Sequence, residues 1–204
     1  DPCFGCATHA LPDQLPLQVT IYDVHGKVLE QLQRSCLISM KTLVLGLGNP
    51  ILSDDGVGIW VAEMVRRALP PGTSVEVSEA SVGGLALMER MVGYDRVILI
   101  DALQTTGGQP GTIRRLTLTE LASMNPTQHV ASAHDTNLIT ALEMGQRMQL
   151  ALPREVIIFG IEVEKVFDFG ERPTPAVAAA VPRAAAAVLE ELVTGEEEKS
   201  NDLN

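Results

Sequence analysis

Two acidic positions and one histidine stand next to apolar runs of this sequence, and these residue types can do chemistry. Asp55 lies in a glycine-rich segment after the run Thr42–Leu47, Asp101 directly follows the run Arg96–Ile100, and His134 precedes a helical segment. In open α/β sheets, ligands bind at the carboxyl ends of the strands, so the three side chains could converge at one sheet edge. Two carboxylates and an imidazole suit a divalent first-row metal such as Ni, Zn, Mn or Co. Three protein ligands leave positions open for water or a substrate.

The glycines after the run Thr42–Leu47 are also compatible in part with a dinucleotide-binding loop. Gly46 and Gly48 match the first two glycines of the G-x-G-x-x-G fingerprint, but Ile51 occupies the third position. Asp54 and Asp55 then stand where a pyrophosphate would need backbone N–H groups and no negative charge. A metal is therefore favoured over a dinucleotide at this loop.

Each of these residues also has a structural interpretation. Asp54 is expected to be the N-cap of the helix whose apolar stripe begins near Val57, and Asp55 could be a second acid in its first turn, attracted by the helix dipole. Asp101 could satisfy a loop, and His134 could cap the next helix. Three such coincidences at one sheet edge explain the pattern less well than one shared site does.

A second group of candidate ligands opens the sequence. Cys3, Cys6 and His9 follow one another at intervals of three residues. The spacing is compatible with a redox motif or with part of a zinc site, for which Cys36 or His25 would be the nearest further ligand. A thioredoxin-like motif would follow a strand at the start of a helix, and this motif does not.

The elements that must position these residues follow from hydrophobic periodicity. Short apolar runs rich in β-branched residues predict five strands, which are Thr42–Leu47, Ser74–Val77, Arg96–Ile100, Thr112–Leu116 and Glu155–Glu162. Helical periodicity predicts helices from about Val57, over Leu85–Val92, over Asp135–Leu150 and from Thr174-Pro175 to about Val193, with a kink or break at Pro182. The alternation predicts a three-layer α/β/α fold, with a five-stranded, mostly parallel, twisted sheet and helices on both faces. The fourth strand follows the third after only a short loop, so it is expected to be an antiparallel edge.

The first methionine is Met40, and the sequence changes character there. We expect residues 1–39 to be the end of one protein joined to another, with a β-hairpin over Leu17–Tyr22 and Lys27–Gln33. Residues 40–193 are expected to form one domain with its own core, and residues 194–204 an acidic, disordered tail.

Composition narrows the classes of partner. The net charge is −11 and 46% of the residues are apolar, which is typical of a globular protein and argues against a nucleic-acid or anionic-membrane partner. The three cysteines all precede Met40, so they form no disulfide framework, and a reducing cytoplasm is the expected location. The sequence contains no apolar run long enough to span a membrane.

The body of the chain resembles the hydrogenase maturation proteases. The resemblance rests on Gly46–Asn49, Asp54–Gly58, Ile100–Ala102 and Ser132–His134, whose order and strand context agree with that family. It implies an aspartic-type endopeptidase whose metal-contacting residues are Asp55, Asp101 and His134. The family often has Glu at the first of these positions, so the acid at this position is one methylene shorter. The Gly83-Gly84 turn fits a loop along which the substrate approaches.

The leading segment resembles the C-terminal end of a [NiFe]-hydrogenase large subunit. Its Asp1-Pro2-Cys3 to His9 stretch matches the terminal nickel-binding motif, and the residues from Ala10 resemble the removable extension. The resemblance implies that Cys3 and Cys6 ligate nickel, that the scissile bond is His9–Ala10, and that the partner of the body is a large-subunit precursor. Nickel would then be supplied by the substrate, and Asp55 or Asp101 could instead act as general base on a water molecule.

Two other functions stay open from the sequence. The body could be a non-catalytic chaperone that shields the nickel site, or a dinucleotide-dependent oxidoreductase. A chaperone would bind the precursor and leave its mass unchanged. Because the sequence lacks the other nickel ligands of a large subunit, we expect little cleavage of the chain's own His9–Ala10 bond.

Overall fold

The computed structural model describes residues 18–22, 28–33, 40–123, 135–164, 166–170 and 172–201. The chain divides into two compact units, Asp1–Ser39 and Met40–Asn204. In the first unit, β1 (Gln18–Tyr22) and β2 (Val28–Gln33) pair in antiparallel fashion with Gln18 opposite Gln33. The predicted hairpin strands are therefore present.

A five-stranded sheet organises the second unit. Its strands are β3 (Thr42–Leu47), β4 (Val75–Ala80), β5 (Arg96–Leu103), β6 (Ile113–Thr117) and β7 (Glu155–Glu162). The spatial order is β4-β3-β5-β7-β6, with β6 antiparallel to β7 at one edge and all other neighbours parallel. The predicted fold class and the antiparallel edge strand are both confirmed.

Helices cover the sheet on both faces. They are α1 (Val57–Ala68), α2 (Gly84–Met91), α3 (Leu118–Ser123), α4 (Asp135–Arg147) and α5 (Pro175–Asn201). One core lies between the sheet and α1 with α5, and a second lies on the α2 and α4 side. Alternate residues of β5 enter opposite cores, since Ile98 and Ile100 lie in the first and Val97 and Leu99 in the second. Both cores are built from residues after Met40, which is what an independently folding unit requires.

Two of the elements that end beyond their predicted bounds change the interpretation of the sequence. β5 continues through Asp101 to Leu103, because Ala102 and Leu103 prolong the ladder against Ile161 and Glu162 of β7. Asp101 is thus inside the strand and not in the loop after it. The last helix includes Pro182 and extends to Asn201. Residues 194–201 are therefore helical, and the glutamates that suggested a disordered tail are also good helix formers.

The short helix α3 is absent from the prediction. Thr117 precedes it, the Glu120 N–H donates to the Thr117 hydroxyl (3.2 Å), and the Thr117 N–H donates to the Glu120 carboxylate (2.7 Å). This reciprocal pair is a capping box, so Thr117-x-x-Glu120 was a readable signal for the start of the helix. The backbone bond of Thr117 holds the pKa of Glu120 below its ordinary value. Among the helices of the described residues, none is long and apolar enough to cross a membrane.

Candidate active site

The connection from β3 to α1 is folded tightly against the carboxyl edge of the sheet. A 3-10 turn, Ser53–Gly56, precedes α1 and packs beside β5. A Cβ on Gly58 would lie 2.2 Å from the Ile100 carbonyl oxygen and 2.3 Å from that of Leu47. Only glycine allows α1 to begin this close to the ends of β3 and β5. The acidic turn is thereby held next to the strand that carries Asp101.

Glycine is also required where the chain leaves β3. Gly48 has φ +130°, and a Cβ there would lie 1.9 Å from the Asp55 carbonyl oxygen. The backbone of the acidic turn therefore folds back directly onto the end of β3. The Ser81 hydroxyl donates to the Gly48 carbonyl (2.7 Å), which ties the segment between β4 and α2 to the same place.

Asp55 is half-buried, and a backbone bond orients its side chain. The Asn49 N–H donates to Asp55 Oδ2 at 2.7 Å, and the Asp55 N–H donates to the Leu52 carbonyl at 2.8 Å. The carboxylate is thus held at the mouth of the loop that follows β3. Backbone donors of this kind commonly fix the orientation of carboxylates that bind metals.

Asp101 is buried, with 3% of its surface exposed. It lies opposite Gly160 in the parallel ladder between β5 and β7. Its Oδ1 accepts the Ala102 N–H at 2.8 Å. A buried carboxylate needs hydrogen bonds or a cation to offset its lost hydration, and the Ala102 N–H supplies one such bond.

Asp54 has a different environment from its neighbour Asp55. It is 0% exposed, and it accepts two bonds from Thr174, from the N–H to Oδ1 (2.6 Å) and from the hydroxyl to Oδ2 (3.1 Å). The expectation that Asp54 caps α1 is wrong, because the N-cap position of α1 is Gly56 and no side chain bonds there. Asp54 instead joins the acidic turn to the residue that precedes α5, a favourable place for a negative charge beside a helix N-terminus.

The structure places two of the predicted site residues in one region. Asp55 and Asp101 belong to adjoining segments at the carboxyl edge of β3 and β5. His134 lies outside the described residues, immediately before α4, and so do Cys3, Cys6 and His9 with the bond His9–Ala10. In the described part of the chain, which includes no histidine or cysteine side chain, no group of three or more metal-binding residues occurs. The Asp55 and Asp101 carboxylates, each oriented by a backbone N–H, are suited to a metal as an oxygen donor pair.

Sequence reasoning missed a third buried acid at the same end of the sheet. Glu162, at the end of β7, is 1% exposed. It accepts bonds from the Thr105 hydroxyl (2.6 Å), the Thr105 N–H (3.2 Å) and Arg114 Nε (2.9 Å). These partners fasten the connection between β5 and β6 to β7. Glu162 ends an apolar run, as Asp101 follows one, and this position could have marked it as a candidate. The partners that give it a structural role lie about 50 residues away in the sequence.

A cleft opens between α2 and α4. It has a volume of about 600 Å³ and is lined by Gly83–Ala86, Thr140, Ala141 and Met144. Gly84 has φ +57°, which allows the chain to turn sharply into α2. The Gly83-Gly84 turn predicted to guide a substrate therefore lies on the wall of this cleft.

Comparison with known proteins identifies the family of this chain. The family model described as hydrogenase maturation protease matches residues 59–191, a range that includes Asp101 and His134 and begins just after Asp55. The chain therefore belongs to the hydrogenase maturation protease family.

Individual relatives and solved structures agree with this assignment. The chain is 27% identical over 143 residues to the hydrogenase expression/formation protein HupD of Thiocapsa roseopersicina, covering 66% of this chain and 63% of that protein. It is 27% identical over 127 residues to the hydrogenase 2 maturation protease of Escherichia coli, covering 62% of this chain and 76% of that protein. The hydrogenase maturating endopeptidase HybD from E. coli superimposes with a TM-score of 0.64 at 25% identity, over 76% of this chain and 94% of that chain. The chain thus spans somewhat less than two thirds of the HupD protein's length.

Proposed function

We propose that this chain is an endopeptidase that removes the C-terminal extension of a [NiFe]-hydrogenase large-subunit precursor. The observation that carries the proposal is the placement of Asp55 and Asp101 at one sheet edge of a fold that belongs to the hydrogenase maturation proteases. The name of one relative, hydrogenase 2 maturation protease, supports the same activity.

The two acids have different parts in this proposal. Asp55 is half-buried and lies in a turn, so it is the carboxylate that meets the substrate and is the better placed to take a proton from an attacking water. Asp101 is almost fully buried in β5 and a backbone N–H orients its carboxyl group, so it is the proposed second oxygen ligand. His134, immediately before α4, is the proposed nitrogen donor. In this arrangement the chain bears the oxygen and nitrogen ligands for an ion that the substrate brings.

Nickel belongs to the substrate in this proposal. The precursor presents nickel bound by the cysteines of its terminal motif, and Asp55, Asp101 and His134 recognise this ion. Thiolates bind nickel as soft donors, and carboxylates with imidazole complete a mixed ligand set. An ion held in this way orients the bond after the motif's His and can polarise its carbonyl.

The leading segment has a place in the same proposal. Residues 1–39 would correspond to the motif of Cys3, Cys6 and His9, in which the two cysteine thiolates bind nickel, followed by an extension, and the bond to be cut would be His9–Ala10. A cytoplasmic location is proposed with it, because the thiols must stay reduced to bind nickel.

The test follows the mass of a separately purified precursor. Nickel-loaded and nickel-free precursor are each incubated with the full chain, and intact mass spectrometry reads the products. The proposal predicts loss of one C-terminal peptide from the nickel-loaded precursor only, with the new terminus at the His of its motif. The chain's own His9–Ala10 bond is an internal control, expected to stay intact. An unchanged precursor mass with stable complex formation would favour the alternative, a nickel-site chaperone.

A further inference from the structure

An exposed aromatic surface lies next to the acidic turn. Phe167 is 79% exposed, Phe169 is 85% exposed and Ile51 is 53% exposed. Phenylalanine is rare in this sequence, with four in all, and Phe159 is buried in the core. Two solvent-exposed phenylalanines only two positions apart are therefore unusual for this chain. We call Ile51, Phe167 and Phe169 the aromatic surface.

Backbone bonds join the two segments that form the aromatic surface. The Gly170 N–H donates to the Ile51 carbonyl at 3.0 Å, and the Ser53 N–H donates to the Gly170 carbonyl at 2.7 Å. Val166, directly before Phe167, is buried in the core on the α1 and α5 side. The phenylalanines thus project from a loop that is anchored at both ends, and their exposure is built into the fold.

The size of the surface is that of a binding site. An aromatic side chain has an area of roughly 150–250 Å², so the three exposed side chains together present about 400 Å² of apolar area. The largest apolar patch on a typical monomer is of this order and is often functional. Ile51 lies two residues before the acidic turn that carries Asp55, so the aromatic surface adjoins the candidate active site along the chain.

We propose that the aromatic surface binds the part of the precursor extension that immediately follows the scissile bond. This inference rests on the proposed function. The extension-like segment of this chain, residues 10–17, reads Ala-Leu-Pro-Asp-Gln-Leu-Pro-Leu, with two Leu-Pro steps and one charge. Proline restricts such a peptide to extended conformations. Extended proline-containing peptides bind surfaces formed by aromatic side chains.

The distances allow one peptide to reach both places. Ile51 lies four positions before Asp55, so their Cα atoms are at most about 14 Å apart. Eight residues of polyproline II span about 25 Å. A peptide cut beside Asp55 can therefore lay its first eight residues after the scissile bond across the aromatic surface. The net charge of −11 makes an anionic lipid surface a poorer occupant.

The binding test uses a fluorescein-labelled peptide with the sequence of residues 10–17. Its anisotropy is titrated with the unit Met40–Asn204, which contains both hydrophobic cores and carries no competing leading segment. The double variant Phe167→Ser with Phe169→Ser is expected to bind at least about tenfold more weakly. Met148→Ser, which removes a 62% exposed side chain near the C-terminal end of α4, is the matched control and is expected to bind within about twofold of the wild type. Equal binding by the double variant, or no binding by the wild type, would overturn the proposal.

A second readout separates this proposal from the proposed function. With the full chain and a nickel-loaded precursor, the double variant is expected to raise KM about fivefold or more with little change in kcat, since bound extension is lost but the site is intact. Cleavage with unchanged KM would refute the aromatic surface and leave the endopeptidase standing. Phenylalanine-dependent peptide binding without any cleavage would refute the endopeptidase and leave the surface standing. Phenylalanine-dependent sedimentation with phosphatidylserine vesicles, without peptide binding, would assign the surface to membranes instead.

Discussion

Replacing Asp54 should reveal that two adjacent acids of the turn have different roles. Asp54 is 0% exposed and accepts the N–H and the hydroxyl of Thr174, 120 positions further along the chain. Asp54→Ala removes both acceptors and leaves two donors unsatisfied at the start of α5. We expect a folding defect from this variant, whereas a variant of Asp55 should fold normally.

The magnitude follows from these bonds. A hydrogen bond to a charged group contributes about 1.5–3 kcal/mol, and the buried donors left behind add a desolvation penalty. Asp54→Ala should therefore lower the free energy of unfolding by about 3–5 kcal/mol. For a protein of this size, that corresponds to a fall in Tm of roughly 10 °C. Asp54→Asn retains one acceptor oxygen and should lose about half as much.

Thermal and urea unfolding measure the effect, with circular dichroism and the fluorescence of Trp60 as probes. Trp60 is the single tryptophan and lies near Gly56, since a Cβ there would be 3.1 Å from its ring, so it reports on the acidic turn. Asp95→Ala is the matched control, because Asp95 also accepts a backbone N–H, that of Lys41 (3.0 Å), but at an exposed site. Its removal should change stability by about 0.5 kcal/mol.

Two results would refute this reasoning. If Asp54→Ala unfolded at the wild-type temperature, the bonds to Thr174 would contribute nothing to stability. If Asp55→Ala destabilised the protein more than Asp54→Ala did, the assignment of the structural and functional roles within the turn would be reversed.

Two further predictions concern packing and charge. Gly58→Ala places a Cβ 2.2 Å from the Ile100 carbonyl oxygen, so α1 must move away from the sheet and the free energy of unfolding should fall by about 3 kcal/mol. Gly170→Ala is the control, because the nearest neighbour of its Cβ would be 3.7 Å away. Equal stability of the two variants in urea would contradict the close packing of α1 on the sheet. The hydrogen bond from Arg115 lowers the pKa of Glu191 below its ordinary value of 4.5, and Glu191 also bonds Arg96. A carboxyl with a lowered pKa in the folded state stabilises above its unfolded pKa and loses that contribution as pH falls through its folded pKa. Glu191→Gln should therefore destabilise the protein by about 1–2 kcal/mol at neutral pH. The variant should also lose less stability than the wild type on acidification below about pH 4.5, which unfolding at several pH values measures. If the stability of the variant fell with pH as steeply as that of the wild type, the pairing of Glu191 with the two arginines would be contradicted.

The sheet was predictable because its signals are local. β-Branched and aliphatic residues dominate β3, β5 and β7, and β3 and β7 match their predicted bounds. β5 was predicted too short because the polar Asp101 interrupts its apolar run, yet the ladder to β7 extends the strand three residues beyond Ile100, to Leu103. The chemistry-bearing acid thus lies inside a strand, where a pattern-based boundary fails.

The hydrogen-bonding partner of Asp54 was not predictable from the sequence. Both are acids beside a helix start, and local patterns make the first a natural N-cap. In the structure, Asp54 instead accepts hydrogen bonds from Thr174, which only the tertiary fold brings near. The structural role of Glu162 depends in the same way on Thr105 and Arg114. Hydrogen bonds between residues so far apart in the sequence do not show in the periodicity of its apolar and polar residues.

Processing of a nickel-loaded precursor by Asp55→Asn tests the proposed endopeptidase most directly. We expect this variant to unfold at the wild-type temperature within about 2 °C, to bind the precursor, and to leave its intact mass unchanged. Asp101→Asn and His134→Ala should also leave the mass unchanged, and Asp95→Asn should release the extension at the wild-type rate. Normal release of the extension by Asp55→Asn would show that this acid has no part in the cleavage and would contradict the proposed function.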